Sequence, residues 1–211
     1  MTSARVLLVD VDGVLVRSPF PNILRERYGI TREQTRAFFT GPFHECNLGR
    51  RDLLECLAPY LPEWGWTDSV QAFVDMWFTA ATVIEPDVVE AIRSYRAAAI
   101  ECWLATDQEL RRMQRLLDGL GLAREVDGCF CSANIGAVKA EPAFWRHVLK
   151  RLKLGAESVL LVDDAAPNLE AARASGLQAE LYRELPDLHA AVAKHFGVQG
   201  LGGRTTDACP S

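Results

Sequence analysis

The chain has 211 residues and a formal net charge of -5, with 24% of residues charged and 49% hydrophobic. That length suits one large domain, or an ordinary domain with an insertion, and can bury a substantial core. The acidic balance argues against nucleic acid, no apolar run reaches membrane-spanning length, and residues 1–5 lead into a strand rather than a signal-peptide cleavage region, so a soluble cytoplasmic protein is expected.

The run Arg5-Val6-Leu7-Leu8-Val9 ends in Asp10-Val11-Asp12-Gly13. It is apolar without interruption and too short for a helix of its own, which predicts a buried parallel strand with two carboxylates at its C-terminal tip. Ligands of open α/β sheets bind at that end. The side chains of Asp10 and Asp12 can converge on one cation or phosphate if the chain coils beyond the strand, with Gly13 supplying the freedom; the alternative is an Asp-Gly turn after an ordinary strand. Next, Arg17-Ser18-Pro19-Phe20-Pro21 breaks regular structure, and the sequence to about Thr82 reads as helices. Thr31 to Gln34 fits a capping box, Leu53, Leu54 and Leu57 recur at helical spacing, and Val70, Phe73, Val74, Trp77 and Phe78 make an apolar stripe behind Asp68. Residues 18–82 are therefore expected to be an all-helical insertion forming a small bundle beside the sheet, with Trp64, Trp66 and Trp77 in its core.

From Glu85 helix and strand alternate. Pro86 opens a helix with Val88, Val89, Ile92 and Tyr95 on one face, followed by a strand around residues 100–105; Leu110, Met113, Leu116, Leu117 and Leu120 mark the next helix, closed near Gly119 or Gly121. Residues 129–131 and 158–162 are strands, with a helix opened by Pro142 between them. Pro167 opens a helix ending at Gly176, residues 179–182 make a weak strand, and Pro186 opens the last helix, ending at Gly197. Crossovers of this length imply a parallel sheet with helices on both faces. Residues 1–17 and 83–198 are thus the α/β core domain, and residues 199–211 are expected to be disordered. Cys46, Cys56, Cys102, Cys129, Cys131 and Cys209 lack paired metal-binding spacing and read as reduced thiols.

Four motifs stand at strand ends in a fixed order: Asp10-Val-Asp12-Gly-Val-Leu, Leu104-Ala-Thr106-Asp107, Lys139 with Pro142 and Phe144 behind it, and Val162-Asp163-Asp164-Ala-Ala-Pro-Asn168. Together they offer a nucleophile, a hydroxyl donor, a cation and metal-binding carboxylates. In these elements the chain resembles the haloacid dehalogenase superfamily from about Val6 to about Phe196, with the helical insertion where that family carries its type-1 cap. The resemblance implies a Rossmann-like parallel sheet flanked by helices and a Mg2+-dependent phosphatase that takes a small phosphorylated metabolite through an aspartyl-phosphate. It implies Asp10 as nucleophile, and Asp12 as acid/base, with the backbone carbonyl of Asp12 as a further metal ligand. Asp10, Asp163 and Asp164 are expected to hold the metal, Asp164 directly and Asp163 as a second, water-mediated ligand. Thr106, Asp107 and Lys139 form the phosphate-binding set. The family usually has Asn at position 107, a departure made harmless if Asp107 caps the next helix. Asn168 either orients a neighbour or occupies the first turn of its helix.

A phosphomutase would keep all four motifs. Dehalogenating members of the family lack an acid two residues after the first aspartate and need no metal, so Asp12 argues against that chemistry, and a complete site argues against a decayed, non-catalytic binding protein. Specificity is expected from residues 41–50, where His44, Asn47 and Arg50 stand beside glycines as a substrate-facing loop would; the alternative is a solvated helix-helix connection.

Overall fold

The computed structural model describes residues 5–80 and 82–198; the expected disorder of residues 199–211, and Cys209 with it, lies outside the described residues. The first strand, β1 (Val6–Val9), is buried at every position, as a strand covered on both faces must be. A two-residue strand, β2 (Val16–Arg17), leads into five helices: α1 (Phe20–Tyr28), α2 (Arg32–Phe39), α3 (Pro42–Asn47), α4 (Leu53–Leu57) and α5 (Val70–Ala80). The return strand β3 (Val83–Ile84) pairs antiparallel with β2, Val16 opposite Ile84 and Arg17 opposite Val83. The helices therefore leave and re-enter through a short ribbon, which two residues per strand are too few to announce by periodicity.

Local signals set the insertion's helices. Thr31 Oγ1 accepts from the backbone N–H of Gln34, and Gln34 Oε1 accepts from the backbone N–H of Thr31, the expected capping box. Asp52 accepts from the N–H of Leu54 at 2.8 Å and caps α4. Phe20, Phe38, Trp64, Phe73 and Trp77 share one buried cluster, against which Trp66 packs, so all three tryptophans are core as expected. Phe20 stacks on Trp77 with centroids 4.8 Å apart.

The remainder runs α6 (Pro86–Ala97), β4 (Glu101–Thr106), α7 (Leu110–Gln114), β5 (Gly128–Cys131), α8 (Ser132–Ile135), α9 (Pro142–Leu152), β6 (Val159–Asp163), α10 (Ala166–Ala174), β7 (Gln178–Leu181) and α11 (Leu185–Phe196). The helix expected through Leu120 is one helical path whose second part, Arg115–Gly119, is π-helical. The main sheet is parallel in the order β5-β4-β1-β6-β7. Alternate strand residues serve opposite faces: Leu7, Val9, Leu104, Leu160 and Val162 pack with α6 and α11, whereas Val6, Leu8, Ala105, Val159 and Leu161 pack with α9 and α10. The chain moves outward from β1 through β4 to β5, then crosses back to β6 on the other side of β1, so the order reverses at β1 and a crevice opens at the carboxyl ends there. Cys46, Cys56, Cys102, Cys129 and Cys131 are free thiols. Among the described residues no helix is long and apolar enough to cross a membrane.

Candidate active site

The β1–β6 ladder continues past its last strand pair, Val9 beside Val162, through a 3.0 Å bond from the N–H of Asp10 to the carbonyl of Val162. It thereby delivers Asp10 next to Asp163. One carboxylate oxygen from each of Asp10, Asp163 and Asp164 lies within 4.8 Å of the others. Lys139, 2% exposed, places Nζ 2.6 Å from Oδ1 of Asp10 and 2.6 Å from Oδ2 of Asp163. Asp163 also accepts from Asn168 Nδ2 on both oxygens, at 3.1 Å each, and from the N–H of Ala165 at 2.8 Å. Asn168 thus orients Asp163, one of the two roles expected for it. Asp164 is the exposed member of the three. Gly13 has φ +89, and a Cβ there would collide with Oδ2 of Asp164, so this turn needs glycine both for its backbone and for the space the carboxylate fills.

This cluster carries more negative charge than Lys139 can balance. Burial pushes Asp10 up to about 7 and the charge of Asp163 adds to the rise, while Lys139 opposes it. Burial alone would lower Lys139, but the carboxylates of Asp10, Asp163 and Asp107 outweigh it and hold the ammonium above the ordinary lysine range. Asp164 is raised by burial and by Asp163. An all-oxygen set of converging carboxylates with uncompensated charge fits a hard divalent cation.

Thr106, buried, ends β4 in register with Cys131. Asp107 does not cap the following helix. That task belongs to Glu109, which accepts from the N–H groups of Arg111 and Arg112, and α7 begins only at Leu110. The delay has a cause: the N–H of Gln108 is bonded to Ser132 Oγ at 3.1 Å, which keeps this stretch extended along the β5–α8 junction. Asp107 Oδ1 instead accepts from the N–H of Lys139 at 2.9 Å, and Trp145 Nε1 donates to the carbonyl of Lys139 at 2.6 Å, so the lysine backbone is fixed on both sides. A buried tryptophan needs a partner for its N–H, and the carbonyl of Lys139 supplies it.

The side chain of Asp12 is not among the three carboxylates that cluster. The carboxylate of Asp12 is drawn to Arg112, whose Nη1 and Nη2 lie 2.6 Å from Oδ2 and Oδ1, and to Gln108 Nε2. A buried guanidinium that must be neutralised wins this carboxylate, and the three-carboxylate group forms without it. Neither Arg112 nor Gln108 is flagged as a site residue by local sequence pattern.

Residues 41–50 are largely helical rather than a loop, because Pro42 starts α3 and Asn47 ends it. His44 and Arg50 are exposed, and Arg50 Nη1 lies 3.4 Å from Glu45 Oε1. The carbonyl of Asn47 accepts from Ser132 Oγ at 2.7 Å, and a Cβ on Gly49 would collide with the carbonyl of Ala133, so this segment is seated on the core beside α8.

A family model for haloacid dehalogenase-like hydrolases matches residues 4–176. Among curated proteins, drimenol cyclase of Aspergillus calidoustus is 32% identical over 71 residues, 34% of this chain but only 13% of that protein. Among solved structures, a haloacid dehalogenase-like hydrolase from Porphyromonas gingivalis matches with a TM-score of 0.76 at 17% identity, covering 94% of this chain and 100% of that one. A haloacid dehalogenase family enzyme from Bacteroides thetaiotaomicron, crystallised with magnesium and inorganic phosphate, matches with a TM-score of 0.72 at 15% identity over 85% of this chain and 94% of its own. A dehalogenase matches with a TM-score of 0.64 at 17% identity, over 85% and 84%. At such identities the structural likeness is one of fold. The family model spans most of the chain and takes in all four strand-end motifs, so the chain belongs to the haloacid dehalogenase-like hydrolases.

Proposed function

We propose that this hydrolase is a Mg2+-dependent phosphatase acting in the cytoplasm on a small phosphorylated metabolite, with residues 18–82 as its cap. The observation that carries this reading is the placement of a buried carboxylate, Asp10, against Lys139 and within 4.8 Å of Asp163 and Asp164. A carboxylate nucleophile and a phosphate dianion repel each other unless cations offset both. Asp10 and Asp164 would hold Mg2+ directly, with the backbone carbonyl of Asp12 as a further ligand and Asp163 behind them, its oxygens already engaged by Lys139, Asn168 and Ala165. The bound ion would supply charge neutralisation.

In the first half-reaction an oxygen of Asp10 attacks phosphorus, the bond to the leaving oxygen breaks, and Asp12 gives that oxygen its proton. In the second, water attacks phosphorus, its proton passes to Asp12, and phosphate departs as the Asp10 carboxylate is restored. Lys139 and Thr106 bind the non-bridging oxygens. The Bacteroides enzyme crystallised with magnesium and inorganic phosphate supports the same pairing here.

The test is phosphate release from sugar phosphates, nucleotides and phosphorylated small acids, with Mg2+ and after exhaustive chelation. Release is expected with Mg2+ and its complete loss on chelation; activity that survives chelation would sink the reading in favour of a metal-free reaction. The same panel tests the cap. His44→Ala and Arg50→Ala are expected to reorder the substrates, since only the cap can meet the leaving portion, and an unchanged order in both variants would place specificity elsewhere in the insertion.

A further inference from the structure

The clamp on Asp12 lies in a short segment that the cap grips at both ends. At one end the carbonyl of Asn47 and the N–H of Gln108 share Ser132 Oγ, at 2.7 and 3.1 Å. At the other, Arg111 Nη2 and Nε reach Oδ2 of Asp52 at 2.7 and 3.1 Å, and Asp52 is the residue that caps α4. Between these grips stand Gln108 and Arg112, and Glu109 ties the N–H groups of Arg111 and Arg112 to one carboxylate.

The bonds on Asp12 divide its two oxygens. Oδ2 accepts from Arg112 Nη1 and from Gln108 Nε2, whereas Oδ1, among the side-chain donors of the described residues, accepts from Arg112 Nη2 alone. A carboxylate oxygen takes about two donors, so Oδ2 is filled and Oδ1 keeps one open position. Asp12 lines a cleft of about 580 Å³ together with Gly13 and Asp164, the exposed member of the three-carboxylate group. The clamp itself is durable. Arg112 is buried, its Nε has no partner among the described residues, and withdrawing Asp12 would leave a guanidinium largely uncompensated.

We propose that Arg112 and Gln108 are positioning residues that present Oδ1 of Asp12 as the proton-handling atom, and that the cap maintains this arrangement through the Asp52–Arg111 pair. The proposal rests on the phosphatase reading and on the proton-transfer role given to Asp12 above.

The test uses the whole chain with Mg2+ and two probes differing by one nitro group. p-Nitrophenyl phosphate has a leaving oxygen that departs without a proton; that of phenyl phosphate is more basic and needs one. Arg112→Gln is expected to lower kcat on phenyl phosphate about 100-fold, the scale of one general acid/base, with KM changed less than about two-fold. On p-nitrophenyl phosphate the loss is smaller, and acid-quenched phosphoenzyme accumulates, because water attack has lost its positioned base. Asp52→Asn, which can still cap its helix, is expected to act in the same direction by about five-fold and to add little in the Arg112→Gln background. Should circular dichroism show Arg112→Gln unfolded, Gln108→Leu carries the same comparison. Equal losses on both probes without phosphoenzyme, or an unchanged kcat, overturn the proposal; an unchanged kcat in Asp52→Asn overturns the part given to the cap. Wild-type protein that releases no phosphate from these probes or from any member of the metabolite panel overturns the phosphatase reading and this proposal with it, whereas an Asp12→Ala variant that keeps its kcat overturns the proton-transfer role and this proposal alone.

Discussion

Asp10→Asn is expected to remove turnover, by at least about 10⁴-fold, while leaving the fold in place. The amide has the shape of the carboxylate, and its oxygen can still accept the bonds that Asp10 takes from the N–H of Val11 at 2.7 Å and from Lys139. What is lost is the negative charge that makes the oxygen a nucleophile toward phosphorus. Stability should respond in the opposite sense. With Asp10 at about 7 in the folded protein against 3.8 unfolded, the folded state holds a proton that the unfolded chain has released. In metal-free protein that contribution is fully present below about pH 4 and is lost as pH rises through 7. The wild type should therefore lose Tm relative to Asp10→Asn between pH 5 and pH 8 in chelator, and thermal melts of the two proteins read this directly. Appreciable turnover in the variant would show that another group is the nucleophile.

The sequence was most informative where burial and chemistry coincide. A four-residue apolar strand ending in Asp10 reads as a central strand, two of the three later motifs end short apolar strands, and Lys139 lies in the loop before the helix that Pro142 opens, so the parallel sheet and the Asp10, Lys139, Asp163 and Asp164 cluster were both legible. Less legible was what side chains do when several partners compete for them. Asp107 had the residue type of a helix cap, yet the N–H of Lys139 took it, because Gln108 is held extended by Ser132 and the helix starts too late. Asp12 is held by a guanidinium a hundred residues away, a partner that its own neighbourhood in the sequence does not show. Both outcomes depend on contacts between distant segments, and local pattern carries no information on those. The β2–β3 ribbon escaped for a different reason, its strands being too short to show any period.

Lys139→Met should be the most damaging change to stability in the site and should also depress turnover. The side chain is buried and its ammonium lies between the buried carboxylates of Asp10 and Asp163, so an isosteric apolar replacement leaves both without their cation. Breaking a buried pair from one side costs about 3–5 kcal/mol, and here one lysine serves two acids. Methionine fills the stem's volume, which confines the effect to charge and hydrogen bonding rather than a cavity. Part of the loss should return in Lys139→Met/Asp163→Asn, where a negative charge is removed along with the positive one and the amide keeps its contact with Asn168; such non-additivity is the mark of direct coupling. Turnover should fall about 100- to 1,000-fold, the cost of removing one preorganised donor to transition-state charge, and by a similar factor for every substrate, because all of them present the same phosphate. Urea denaturation of the metal-free single and double variants, with the substrate panel on the single variant, measures both halves. A single variant as stable as wild type would mean that Lys139 offsets no carboxylate charge in the folded protein, and substrate-dependent losses would mean that Lys139 reads the leaving group instead of the phosphate.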